Sequence, residues 1–252
     1  MRSPFIHLRV QSSFSLSEST LKIKNLVARA KLLNMPAISI TDNNNMFGVF
    51  EFSQECINNN IQPIIGTSIN LLDVKYKGKI SQLSFLVKNN IGYKNLLHLS
   101  SLSHFESKKE IGIHIEDLKK HSDGLFCFLG GEYNPLLFLN LEKKNNLQRD
   151  LIKYLKDIFN NNLLFELQRI KDPAIDSFED KFISLANEYG IYLIGSNNIK
   201  FEKAEDYAAH DTLLCVAQKS TLNQSNRIFS NPELYFKNSE EMNDIFNDYP
   251  EI

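Results

Sequence analysis

Short apolar runs alternate along the chain with longer stretches whose apolar residues recur at helical spacing. The short runs predict seven strands, at residues 5–10, 36–41, 63–71, 82–88, 125–129, 163–167 and 191–195. The longer stretches predict helices at residues 21–34, 47–60, 92–102, 147–159, 174–189, 204–218 and 239–246. Because helices separate nearly all of the strands, the pattern favours parallel βα units over an antiparallel meander.

The stretch 69–85 is open to a second interpretation, a hairpin that turns at Lys77-Gly78. Seven βα units can close into a barrel, and functional groups in such barrels gather at the carboxyl ends of the strands. The sequence therefore predicts an α/β fold, with candidate functional residues just after each predicted strand.

Composition adds limits to this picture. The 252 residues include 42% hydrophobic and 23% charged residues, with a net charge of −2, so no basic footprint for nucleic acid is expected. The three cysteines, Cys56, Cys127 and Cys215, are far apart and form no C-x-x-C pair, which favours a reducing cytoplasm. No apolar run has the roughly 20 residues that a membrane-spanning helix needs, and no secretory signal opens the chain.

Several long segments resemble one known family in the same order. The opening FIHLRVQSSFSL is similar to "F-x-H-L-H-x-H-S-x-Y-S-L", and PAISITDNNNMFGVFEF is similar to "P-A-L-A-I-T-D-H-G-x-M-x-G-x-x-x-F". QPIIGTSINL, LSFLVKNNIGYKNLLHLSS and EDYAAHDTLLCVAQKSTL continue the match. Across essentially the whole chain, the sequence resembles the PHP (polymerase and histidinol phosphatase) domain that opens the alpha subunits of bacterial DNA polymerase III.

The resemblance implies a distorted (β/α)7 barrel of the PHP type. One PHP domain would fill residues 1–252, with a core barrel over about 1–203 and a helical extension over about 204–252 that leads toward the polymerase palm. We expect the polymerase domains, and the Mg²⁺ that they use, to lie beyond these residues. DNA would then be contacted only through the full-length polymerase.

Active PHP domains hold divalent metals for phosphoester hydrolysis, and the resemblance allows their ligand positions to be carried over one at a time. These positions fall on Arg9, Gln11, Glu18, Asn43, Ser68, Gln82, Gly131, Asn198 and Lys200. Glu18 alone keeps a competent ligand, whereas a guanidinium at position 9 cannot deprotonate to bind a metal. The interpretation is a vestigial site, with no metal, no cofactor and no catalytic residue in this domain.

A physical account of the replacement is that Arg9 and Lys200 neutralise Glu18 and Asp42, which the metals would otherwise pair. His7 and His210 are interpreted as structural residues. A domain without catalysis is expected to be kept for packing against the polymerase or for docking the separate proofreading exonuclease subunit. Two alternatives stay open: a metal-dependent phosphoesterase or 3′–5′ exonuclease with an altered ligand set, and a free-standing degenerate PHP protein.

Overall fold

The computed structural model describes residues 4–105 and 110–249. Its helices are α1 (Ile23–Leu32), α2 (Val49–Asn58), α3 (Asn90–Phe105), α4 (Leu118–His121), α5 (Pro135–Leu141), α6 (Asn145–Phe159), α7 (Pro173–Asp176), α8 (Glu179–Tyr189), α9 (Tyr207–Gln218) and α10 (Ser239–Ile245). Its strands are β1 (Ala37–Ile40), β2 (Gln62–Tyr76), β3 (Lys79–Val87), β4 (Leu125–Gly130), β5 (Leu163–Gln168) and β6 (Tyr192–Ser196).

The six strands form one sheet in chain order, which confirms the predicted α/β class. Strand β3 is antiparallel to both β2 and β4, whereas β4 and β5 are parallel. The expectation of parallel pairing was therefore wrong at β3, and the hairpin interpretation of residues 69–85 is confirmed. The cause is the two-residue turn between Tyr76 and Lys79, since a connection this short can only reverse the chain.

The turn itself shows why the chain reverses there. Lys77 and Gly78 both have positive φ, of 47° and 80°. Two successive residues with positive φ match the right-handed twist of a hairpin, and glycine takes this conformation without a Cβ penalty.

Contacts between Cα atoms divide the chain into two compact units. Unit 1 contains residues up to 42, Phe47–Ile64 and residues from 196 onward; within the described residues it holds α1, β1, α2, α9 and α10.

The predicted first strand, residues 5–10, is not a strand here. It is an extended segment with a single parallel bridge, Val10 to Ile199.

That segment is nevertheless hydrogen-bonded on two sides within unit 1. The Ser39 amide donates to the His7 carbonyl, and the Thr41 amide donates to the Val10 carbonyl. On the other side, the Gln11 amide donates to the Ile199 carbonyl. The apolar run at residues 5–10 therefore indicated a buried extended segment. This segment has too few consecutive bridges to count as a strand.

Unit 2 contains Asn43–Met46 and Ile65–Gly195, and it carries most of the sheet with the helices from α3 to α8. Its core includes Phe85, Phe128 and Phe165, all nearly or completely inaccessible to solvent. Sequence periodicity missed α5, because all of its first five residues are buried and show no polar face. Its start is nonetheless specified locally, since Asn134 caps the helix and Pro135 occupies the first turn.

The described part of the predicted extension over residues 204–252 belongs to unit 1. Residues 1–3 and 250–252 of the predicted domain lie outside the described residues. Among the residues that are described, no helix is long and apolar enough to cross a membrane.

Candidate functional site

Four of the carried-over positions lie on one face of unit 1, which we call the cationic face: Arg9, Gln11, Asn198 and Lys200. The parallel bridge pairs Val10 with Ile199, and both of these side chains are fully buried in the core. Because side chains alternate between the two faces of extended chains, the residues that flank Val10 and Ile199 lie together on the opposite face. The structure thus brings together positions that are almost 190 residues apart in sequence.

The cationic face is buried. Arg9 is 4% exposed and Lys200 is 8% exposed, while Gln11 and Asn198 are each 1% exposed. The Gln11 side-chain amide donates to the Asn198 side-chain oxygen at 3.3 Å. This face therefore presents two basic side chains and a linked pair of amides.

Asp42 follows β1 in unit 1 and is surrounded by hydroxyl donors. Its carboxylate accepts hydrogen bonds from the Ser12 amide at 2.6 Å and from the Ser12 and Ser15 hydroxyls, both at 2.7 Å. Burial raises the pKa of Asp42, and these hydrogen bonds oppose that shift. Sequence reasoning missed the two serines, although a Ser at i and i+3 beside the mapped positions was a usable signal.

Glu18 lies half-buried in the turn that precedes α1. Its backbone carbonyl accepts a hydrogen bond from Nε2 of His210, at 2.8 Å. The other ring nitrogen of His210 is 2.6 Å from the Ser230 hydroxyl, so both nitrogens of this buried imidazole have protein partners. These contacts support the structural interpretation of His210.

His7 is completely buried between aromatic rings. Its Nε2 donates to the Lys237 carbonyl at 2.8 Å, and the rings of Phe5 and Phe236 pack edge-on against the imidazole at 5.1 and 5.0 Å. Burial lowers the pKa of His7 to about 4, because the charged imidazolium would lose its hydration. His7 therefore has the hydrogen-bonded structural role that its position suggested.

Three further mapped positions, Asn43, Ser68 and Gln82, lie on one face of unit 2 together with Asn70 and Ser84. We call these five residues the hydroxyl–amide face. A parallel bridge joins Asn43 to Ser68, and the β2–β3 register sets Ser68 opposite Ser84 and Asn70 opposite Gln82. Directly opposed residues in an antiparallel pair share a face, so the register explains the grouping.

The hydroxyl–amide face is held by hydrogen bonds between uncharged groups. The Ser68 and Ser84 hydroxyls are 2.9 Å apart, and the Gln82 side-chain amide donates to the Asn70 side-chain oxygen at 3.0 Å. The side-chain oxygen of Gln82 is buried and has no hydrogen-bond partner among the described residues. Sequence reasoning missed Asn70 and Ser84, which only the strand register could have supplied.

Gly131 follows β4 in unit 2 and has a φ of +69°, a conformation that favours glycine. A Cβ at this position would lie 2.4 Å from the Gln168 side-chain oxygen. Gly131 and Gln168 also line a cavity of about 20 Å³ with Glu166 and Asn134. That space admits about one water molecule. A residue larger than glycine at position 131 would require the end of the Gln168 side chain to shift.

The carboxylates, imidazoles and thiols of the described residues form no cluster that could bind a metal ion. No group of three or more His, Cys, Asp or Glu side chains in residues 4–105 and 110–249 lies in an arrangement that could hold a metal ion. The mapped positions themselves supply two cations, four amides, one hydroxyl, one glycine and one carboxylate.

The PHP domain family model matches residues 7–170, and the chain belongs to the PHP domain family. Among curated relatives, the chain is 35% identical over 256 residues to DNA polymerase III subunit alpha of Rickettsia bellii and 36% identical over 267 residues to that of Borreliella burgdorferi. Each match covers 99% of this chain but 21% and 23% of the relative.

The chain therefore spans about a fifth of the length of these relatives and is homologous to their amino-terminal region. Among solved structures, an amidohydrolase from Chromobacterium violaceum with bound sulfate and no metal superposes with a TM-score of 0.46 and 12% identity. That superposition covers 77% of this chain and 87% of the amidohydrolase.

Proposed function

We propose that this chain is the PHP domain of a DNA polymerase III alpha subunit, that it binds no metal cluster, and that it acts as a scaffold. The observation that carries the proposal is the cationic face. The positions that would supply two histidines, an aspartate and a further histidine in an active PHP domain lie side by side, and they are occupied by Arg9, Gln11, Asn198 and Lys200.

The chemistry of this donor set does not fit a cluster of divalent ions. Such ions bind carboxylate oxygens, neutral imidazoles and thiolates. A buried guanidinium and a buried ammonium carry charges of the same sign as the metal, and repulsion is strong where water is excluded. No hydrolytic step is therefore assigned to this face.

The test is metal content together with nuclease activity. The protein is incubated with excess Mn²⁺ and Zn²⁺, desalted, and analysed by mass spectrometry for bound metal, beside an exonuclease assay on single-stranded DNA. We expect substoichiometric metal and no cleavage. Two or three tightly held ions with cleavage would contradict the proposal and favour the alternative, a phosphoesterase or 3′–5′ exonuclease with an altered ligand set.

A matched variant makes that alternative outcome interpretable. Glu18→Gln removes the one carboxylate among the mapped positions while keeping the size of the side chain. If ions and cleavage are found, this variant should weaken both, whereas the exposed Lys153→Ala should weaken neither. Cleavage that is unchanged in Glu18→Gln would indicate a contaminating enzyme.

The partner that we propose for the scaffold is the proofreading exonuclease subunit. A PHP domain without its own hydrolytic site leaves proofreading to a separate subunit, and the surface of this domain is then available for docking that subunit. Surface plasmon resonance with the purified exonuclease subunit should give saturable binding. Failure to bind would exclude docking while leaving the polymerase assignment intact.

DNA synthesis would belong to the remaining part of the alpha subunit. Mg²⁺ and DNA would be bound there, in the cytoplasm, and not by the residues of this domain. The net charge of −2 supports this division, because a direct DNA-binding domain needs clustered Lys and Arg to neutralise phosphates.

A further inference from the structure

A cavity of about 600 Å³ lies in unit 2. Leu102 lines it from α3 and Tyr154 from α6, while Glu116, Asp117 and residues 119–121 line it from the turn and short helix between them. The volume is within the range of about 300–1,000 Å³ that is usual for small-molecule sites. No mapped ligand position is among these lining residues, so the cavity is distinct from the two faces described above.

The segment that supplies most of the lining is fixed by hydrogen bonds to carboxylates. The Asp117 side chain accepts from the His114 amide at 2.8 Å. The Asp73 side chain, on β2, accepts from the Ile115 amide at 2.7 Å and lies 3.1 Å from Nδ1 of His114. These two carboxylates therefore hold residues 114–117 in place before any ligand binds.

The lining includes two adjacent lysines, Lys119 and Lys120. Both belong to the last turn of α4, both are exposed, and neither forms an ion pair with another residue that the structure describes. In the adjacent pair Lys143 and Lys144, by contrast, the Lys144 ammonium lies 2.7 Å from the Glu142 carboxylate. An anionic ligand in the cavity would offset the repulsion between the two neighbouring ammonium groups.

Two rings also line the cavity, from His121 and Tyr154. The His121 ring stacks on that of His98, with ring centres 5.2 Å apart and planes inclined by 25°. Burial lowers the pKa of His121 and the neighbouring His98 adds to this shift, so the imidazole is uncharged at pH 7. The cavity thus combines flat uncharged rings with two ammonium groups.

These groups together select the class of ligand. Two lysines suit a single phosphate group, whereas a nucleic-acid strand needs Lys or Arg side chains along its whole length. A tyrosine ring favours a planar ring system, which it can stack against. The Glu116 carboxylate lines the same cavity and can accept a hydrogen bond from an amino group on that ring system.

We propose that this cavity binds a free nucleoside monophosphate whose base carries an amino group. Lys119 and Lys120 hold the phosphate, and Tyr154 stacks on the base. Tyr154 is the ring assigned to the base because one face of the His121 ring is already covered by His98. The proposal goes beyond the scaffold role and does not depend on it.

The test is isothermal titration calorimetry of the whole chain with adenosine 5′-monophosphate. We expect one site per chain, and an affinity that falls as salt is added, because exposed charges are screened. Lys119→Ala/Lys120→Ala should raise Kd about fivefold, and Tyr154→Leu should raise it about tenfold. Tyr154→Phe keeps the ring and should bind like the parent chain. The matched control Lys143→Ala/Lys144→Ala removes two adjacent lysines elsewhere in the chain and should leave Kd unchanged.

Parallel titrations with adenosine, inorganic phosphate and a short single-stranded oligonucleotide identify the ligand class. Adenosine and phosphate should each bind more weakly than the nucleotide, since each contacts only part of the lining. Phosphate that binds as tightly as the nucleotide would overturn the assignment in favour of a simple anion site, and tighter binding of the oligonucleotide would overturn the free nucleotide. No binding of the nucleotide, or binding unchanged in the lysine variant, would overturn the cavity as the site. Because both lysines are exposed, that variant keeps the test decisive even if Tyr154→Leu fails to fold.

Discussion

The two faces that carry the mapped ligand positions differ in kind. In unit 1, the cationic face contains buried charges, and the neighbouring Asp42 carboxylate is buried among hydroxyl donors. In unit 2, the five residues of the hydroxyl–amide face include no ionisable group, and the Ser68–Ser84 and Gln82–Asn70 contacts are hydrogen bonds between neutral side chains.

The comparison shows that former ligand positions can be occupied by residues whose interactions contribute very different amounts to stability. A neutral hydrogen bond contributes about 1 kcal/mol net. Breaking a buried ionic arrangement by removing one partner costs about 3–5 kcal/mol, because the remaining charge stays buried. Stability, and its response to pH, should therefore depend far more on unit 1 than on unit 2.

The largest effect is expected from Arg9→Ala. If Arg9 neutralises a buried carboxylate, its removal should lower the free energy of unfolding by roughly 3 kcal/mol. Urea denaturation measures this loss, with Lys153→Ala as an exposed control that should change it by less than about 0.5 kcal/mol. A loss for Arg9→Ala as small as that of the control would break the comparison.

The next effect is the pH dependence that His7 imposes. Its pKa is lowered from 6.5 to about 4 on folding, so the unfolded chain binds a proton that the folded protein rejects. Stability from the neutral imidazole is therefore present above pH 6.5 and falls as the pH drops toward 4. Between pH 7.5 and 5 the loss should be about 2 kcal/mol.

His7→Gln tests that assignment, because glutamine does not titrate in this range and can still donate to the Lys237 carbonyl. The slope of unfolding free energy against pH should flatten in the variant. An unchanged slope would place the pH sensitivity elsewhere.

A smaller effect is expected on the hydroxyl–amide face. Ser68→Ala should cost about 1 kcal/mol, since it removes the hydrogen bond between the buried Ser68 and Ser84 hydroxyls. The double variant Ser68→Ala/Ser84→Ala should cost less than the sum of the two single variants in a double-mutant cycle. Strict additivity would mean that the two hydroxyls do not interact.

The smallest change is expected for Gln82→Leu. The variant gives up one hydrogen bond to the partly exposed Asn70, but it also removes a buried oxygen that lacks a partner among the described residues. These terms oppose each other, so the unfolding midpoint in urea should move by the equivalent of less than about 1 kcal/mol. A loss above about 2 kcal/mol would show that unit 2 also depends on polar contacts that sequence and register do not reveal.

Much of the fold follows from local pattern. Helices α1, α2, α6 and α9 lie within a few residues of their predicted bounds, because each combines an apolar stripe with a polar or small-residue side. Residues 5–10 and β3 could not be assigned in the same way. Whether an apolar run forms a full strand, and in which direction it pairs, depends on neighbours distant in sequence.

The candidate site could likewise be predicted only in part from the sequence. The resemblance located the mapped positions, and the bridge at Val10 and the β2–β3 register show which of them share a face. Asn70 and Gln168 could not be predicted, since a hydrogen-bond partner is defined by three-dimensional proximity and not by spacing. Whether Arg9 and Lys200 pair with Glu18 and Asp42 stays a prediction.

The conformation at Gly131 has an evolutionary consequence. A single substitution that restored a ligand there would place a Cβ against the Gln168 side chain. It would also hold a residue with a side chain at a φ of +69°, a conformation that glycine tolerates best. Under the proposed loss of the metal cluster, regaining a ligand at this position would carry the backbone strain of a positive φ, and the end of the Gln168 side chain would have to shift. The backbone at position 131 would therefore favour keeping glycine there after the metals were lost.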